Sequence, residues 1–213
     1  MKRIETVDQI ITHIKQRKSV YLFVSILFLM GIIFGAFLVN SISLTQRHDL
    51  FQYLSQFFHE MNNGHIDTTA NELFVASIIH YSKYIGLLWI LGISMIGLPL
   101  IFVLLFMKGV VIGFTVGFLV NQMGAQGFVI AFVSVFPQNI ILIPVFIAVG
   151  CLSVRFCIRL FKHTFLKGQH EPIFPHFLRY TLIIVCLLAL TFIAAFFEAY
   201  VAPALLKWTL SLF

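Results

Sequence analysis

Charge is what this sequence has least of. Of its 213 residues only 10% are charged, against roughly 25% in an ordinary soluble domain, while 60% are hydrophobic. That excludes a soluble fold with an oversized core and leaves a polytopic membrane protein. Cysteine is scarce too: Cys151, Cys157 and Cys186 lie in or beside apolar runs without metal-ligand spacing, which points to buried free thiols. The net charge of +6 does not argue for nucleic acid, because in a membrane chain the placement of the cations is what matters.

What is abundant is uncharged length. Five runs, about 20–39, 85–107, 109–123, 128–154 and 180–202, read as membrane crossings of one all-α helical bundle. The first follows Lys2, Arg3, Lys15, Arg17 and Lys18 and lacks a cleavage site, so it reads as an uncleaved span with its amino end cytoplasmic. Five crossings then place eleven of the fourteen Lys and Arg inside: those five, Lys108, and Arg155, Arg159, Lys162, Lys167 and Arg179 in a basic loop over 155–179. Arg47, Lys83 and Lys207 fall outside, as does the C-terminus. If only one of the third and fourth runs crossed, the basic loop would be misplaced, so both cross or together form one re-entrant feature.

Outside the spans, 1–19 reads as a basic amphipathic segment, with Ile4, Val7, Ile10, Ile11 and Ile14 at helical spacing for an anionic inner leaflet. The outer loop 40–84 carries a second amphipathic pattern, Leu50, Leu54, Phe57, Phe58 and Met61, suited to the outer leaflet or to a partner. Thr69 and Glu72 have capping-box spacing and would start a helix running on into the second span.

Within the spans, Glu198 stands among Phe192, Phe196, Phe197, Tyr200 and Val201. An ionisable residue there is either a functional site or a group at the outer headgroup level. Gly109, Gly113 and Gly117, and Gly31 with Gly35, are GxxxG faces for close helix approach. For the third span, packing within the chain is the reading; for the first, a partner helix competes with it. Pro137 and Pro144 break the fourth span, and Gln138 and Asn139 bring amides that need partners in hydrocarbon. That break is either a transporter-like binding element or a plain kink. His48, His59, His65 and His80 form no HExxH-type pair, and no catalytic constellation, metal site or cofactor motif is visible.

The run KYIGLLWILGISMIGLPLIFVLLFMKGVVIGFTVGFLVNQMGAQGFVIAFVSVFPQNIILIP from Lys83, the opening FLMGIIFGAFLVNS from Phe28 and the ending AFFEAYVAPAL from Ala195 together resemble the stage II sporulation protein M family. Asn121, Pro137 to Asn139, and Glu198 with Pro203 carry that resemblance. Wider relatives have a His-Gly pair after the proline and a Glu beyond it; here Gln138, Asn139 and apolar residues stand there. The resemblance implies a non-enzymatic scaffold in the cell membrane, on the mother-cell side of the sporulation septum and engulfing membrane. Its implied partners are stage II sporulation proteins D and P, peptidoglycan hydrolases of septal wall thinning and forespore engulfment. On that reading Leu50, Leu54, Phe57, Phe58 and Met61 hold the hydrolases, the other contacts are the lipid bilayer and a second copy of the chain, and nucleic acid is excluded. The rival reading is a small transporter or channel using Glu198; a membrane-embedded hydrolase is a third.

Overall fold

The computed structural model describes residues 2–62, 70–94, 96–165 and 173–210. They form α1 (Lys2–Leu38), closed by a 3-10 turn at Val39–Ser41, then α2 (Leu44–Asn62), α3 (Ala70–Ile93), α4 (Gly97–Ser134), α5 (Phe136–Phe165), α6 (Ile173–Phe196), a π-helical turn at Phe197–Val201, and α7 (Ala202–Leu210). No strand occurs among the described residues. Five stretches are long and apolar enough to cross a membrane: Ser19–Ser41, Ala70–Ile93, Gly97–Ser134, Phe136–Thr164 and Ile173–Thr209.

Five crossings agree with the sequence reading, but the boundaries do not. The uncharged run 85–107 is not one span. It is a helical hairpin, the end of α3 and the start of α4, turning at Ser94 to Gly97. The Ser94 amide bonds back to the Ile90 and Leu91 carbonyls and the Gly97 amide to that of Ser94, so this turn needs no charged residue. A Cβ on Gly97 would run into the Leu91 carbonyl. The expected loop 40–84 therefore shrinks, because α3 begins at Ala70 and carries His80 and Lys83 within a span. The helix expected to start near Glu72 is present; Thr69 lies outside the described residues. The expected basic loop 155–179 shrinks likewise, with Arg155, Arg159 and Lys162 on α5 and Arg179 on α6.

The 109–123 run is the second half of the straight part of α4. At Gly124, φ 58° and ψ −131° fall where only glycine rests without strain. The chain bends there so that Gly127 backs onto the Leu119 carbonyl. Run 128–154 is accordingly two helices meeting at Val135. Pro137 occupies the first turn of α5, where its missing amide costs nothing, and Pro144 lies inside α5.

Depth follows from α1 and α4. A Cβ on Gly109 would meet the Phe28 carbonyl oxygen, on Gly113 that of Ile32, and on Gly117 the Cα of Ala36. The two helices therefore run parallel, four residues at a time on each, at the small separation that glycine faces permit. At the far end, Asn121 Nδ2 donates to Asn40 Oδ1 at 3.4 Å. At the near end, the Cys151 thiol approaches the Val20 carbonyl at 3.9 Å, which brings the basic end of α5 to the basic end of α1. The central core is Val24, Ile85, Leu88, Ile101, Leu105, Phe146 and Val149. A smaller cluster at the opposite end joins Leu119, Ile130, Ala131 and Leu206, with Leu54 of α2 packed on it.

Candidate functional site

Glu198 sits in the π-turn, and Pro203 accounts for that turn. Proline has no amide to donate to the Ala199 carbonyl and its ring crowds that carbonyl. The helix widens instead, with the Ala202 amide bonding the Phe197 carbonyl. Such π-turns recur at functional sites because they rotate a side chain out of α-helical register. Here the side chain that occupies the turn is Glu198, turned toward α3.

The Tyr81 hydroxyl donates to Glu198 Oε2 at 2.5 Å. Tyr81 is buried at the middle of α3, and its ring lies 5.8 Å from Lys108 Nζ. The Lys108 ammonium also faces Tyr84 at 5.3 Å and Phe146 at 5.2 Å, and stands 3.4 Å from His80 Nε2. Tyr84 completes the cage by donating to the Leu104 carbonyl at 2.5 Å. Glu198 lies within electrostatic reach of both Lys108 and His80.

This places Lys108 in the membrane, not in a cytoplasmic loop. Since Gly109 faces Phe28, Lys108 is level with the middle of the uncharged 20–39 stretch. A lone charge at that depth costs about 2.5–3.5 kcal/mol on insertion scales. The opposite charge of Glu198 and the three ring faces offset much of this, each cation–π contact contributing up to about 2 kcal/mol when desolvated. Glu198 is likewise no headgroup-level residue, since its partner is at mid-span. The arrangement can hold a charge pair, or a proton exchanged between its members. Among the described residues no three His, Cys, Asp or Glu are grouped to bind a metal ion.

Sequence reasoning singled out Glu198 but missed Tyr81, Lys108 and His80. It also missed a second polar cluster nearer the basic end, where Tyr180 bonds Ser153 at 2.9 Å and the Trp89 carbonyl at 3.1 Å, while Trp89 Nε1 donates to Thr181 at 3.2 Å. Gly92 makes room for that hydroxyl, which a Cβ would strike. Gly31 and Gly35 of α1 abut the Phe106 and Val110 carbonyls of α4, with Gly31 also against Gly109, so the partner helix considered for the first span is α4 itself.

Gln138 and Asn139 are not drawn into the Glu198 cluster. Asn139 is buried and donates to the Val135 carbonyl at 2.7 Å, closing the α4–α5 junction; Gln138 Oε1 is buried without a partner among the described residues. On α2, Leu54 is half-buried against its own bundle, whereas Leu50 is exposed beside Tyr53 and Phe118 in a shallow apolar groove. The side chains of Phe57, Phe58, His59 and Met61, and all of His65, lie outside the described residues. His48 bonds Gln52 at 3.2 Å on α2.

No match is found among curated proteins or solved structures. The family model of stage II sporulation protein M matches residues 24–203, from the first span through the Glu198 turn to Pro203. A chain matched over that length, with five apolar spans, belongs to the stage II sporulation protein M family.

Proposed function

We propose that this multi-pass sporulation protein is a non-catalytic membrane scaffold that organises peptidoglycan hydrolases, stage II sporulation proteins D and P, for septal wall thinning. The family is not known as an enzyme family. On this reading the end that gathers Arg155, Arg159, Lys162, Arg179 and the N-terminal cations is cytoplasmic. The opposite end, with α2, faces the wall, on the mother-cell side of the septum. The carrying observation is that α2 lies outside the spanning helices and is braced on them through Leu54. A braced helix offers an extracytoplasmic partner a fixed surface at little ordering cost.

The test is capture of the tagged protein from detergent-solubilised membranes of sporulating cells. Co-elution of both hydrolases, lost on Phe57→Ala with Phe58→Ala, is the expected result; elution alone overturns the reading. Leu54→Ala is the wrong probe, since it loosens the bundle as well.

One observation favours a second reading, a proton- or ion-coupled transporter: the chain from Glu198 through Tyr81 to Lys108 and His80. Glu198→Gln separates the two. A transporter loses coupling while it stays folded, whereas a scaffold keeps its partners for as long as it stays folded.

A further inference from the structure

Along α3, Ile79, Lys83, Gly86 and Ile90 follow one another at helical spacing and share a face, with His80 and Leu87 at its edge. Ile79, His80, Lys83, Leu87 and Ile90 are exposed on the bundle's flank. The face is inside the membrane: Tyr84 reaches Leu104 and Tyr81 borders Lys108, which puts Lys83 at the level of α4 residues already matched to the uncharged part of α1. Ionisable residues at such depth ordinarily face protein or water rather than lipid. Lys83 acts electrostatically on His80, another base, and the carboxyl group of Glu198 is engaged by Tyr81.

Gly86 adds an independent sign. A Cβ built on Gly31, Gly35, Gly109 or Gly113 strikes the facing helix, and one on Gly92 strikes Tyr180; a Cβ on Gly86 meets nothing. Glycine weakens a helix interior, and the fold of this chain gives no reason for it here. Gly86 is half-exposed on this flank, and interfaces between membrane helices are enriched in small residues that allow close approach.

We propose that the Ile79–Lys83–Gly86–Ile90 face of α3 is a lateral docking site for a partner's transmembrane helix that packs on Gly86 and sets a carboxylate against Lys83. Charge selects this occupant over a second copy. A two-fold pair through this face would oppose the same bases on both sides, whereas an acidic helix neutralises Lys83. The inference deepens the scaffold reading and rests on it for the existence of membrane-anchored partners.

The test uses the full-length protein in phosphatidylcholine vesicles with a fluorescent polyleucine transmembrane peptide carrying one central Asp, compared with its all-Leu counterpart. Energy transfer should show the Asp peptide associating about tenfold more tightly, the scale of one interhelical polar contact in lipid. Lys83→Met should abolish that preference, and Gly86→Leu should abolish association of either peptide, both with unchanged thermal stability. Equal association of the two peptides, or an Asp preference that survives both substitutions, overturns the proposal. So does a Lys83 effect that appears only when phosphatidylglycerol is added, which would assign the face to anionic lipid. Failure here with hydrolase capture intact sinks the lateral site alone; loss of capture with the peptide result intact sinks the hydrolase reading alone.

Discussion

Tyr81 joins two ionisable residues of the membrane interior: its hydroxyl holds Glu198 and its ring faces Lys108. Removing the hydroxyl leaves the Glu198 carboxyl group in a low-dielectric site short of a partner, which costs more than the bond itself contributes. Interhelical hydrogen bonds in membranes couple by about 0.6 kcal/mol on average and about 1.7 at most. A double-mutant cycle of Tyr81→Phe and Glu198→Ala, each change removing the bond, read by thermal unfolding in detergent, should give coupling between these two figures. Coupling within error of zero would remove the bond from the account. Glu198 was legible in the sequence because a carboxylate in an apolar run contradicts its surroundings. Tyr81 was not, being one apolar-compatible residue among many and 117 positions away. Lys108 was misread because uncharged runs on both sides made it look like a loop.

The tightest element pair is α1 with α4, and it depends on glycines whose missing side chains let backbone touch backbone. A Cβ on Gly113 would overlap the Ile32 carbonyl, and backbone cannot yield as a flexible side chain can. Gly113→Leu should therefore destabilise by at least the 1–3 kcal/mol or so usual for overpacking, with α1 released from the bundle. Cysteine crosslinking between introduced residues at Ile32 and Ile112 would report the release; undiminished crosslinking would contradict the geometry. The number of spanning elements was readable because hydropathy integrates over about 20 residues. Their ends were not. The α3–α4 turn uses Ser94, Ile96 and Gly97, all compatible with a span. Its polar groups are closed by backbone bonds that composition does not reveal.

For the whole molecule, basic residues collect at the Val20 end and α2 lies at the other, and the proposed orientation, with the basic end cytoplasmic, predicts which parts are reached from each side. Cys151 and Cys157 are buried and Cys186 is exposed on the flank of α6, within a span. An impermeant maleimide applied to intact protoplasts should thus leave the native cysteines unlabelled. It should label Gln56→Cys but not Lys162→Cys, and inverted vesicles should reverse the pattern. Labelling of Lys162→Cys from outside would invert the assignment. The glycine pairing of α1 and α4 has one more consequence, for biogenesis. Phe28 meets Gly109 and Ile32 meets Gly113, a constant separation of 81 residues along the chain. At about 5–20 residues per second, α1 waits in the bilayer for several seconds with its glycine seam uncovered before α4 is made. During that interval the seam is open to any other helix that can approach closely, so insertion must either be fast or be chaperoned.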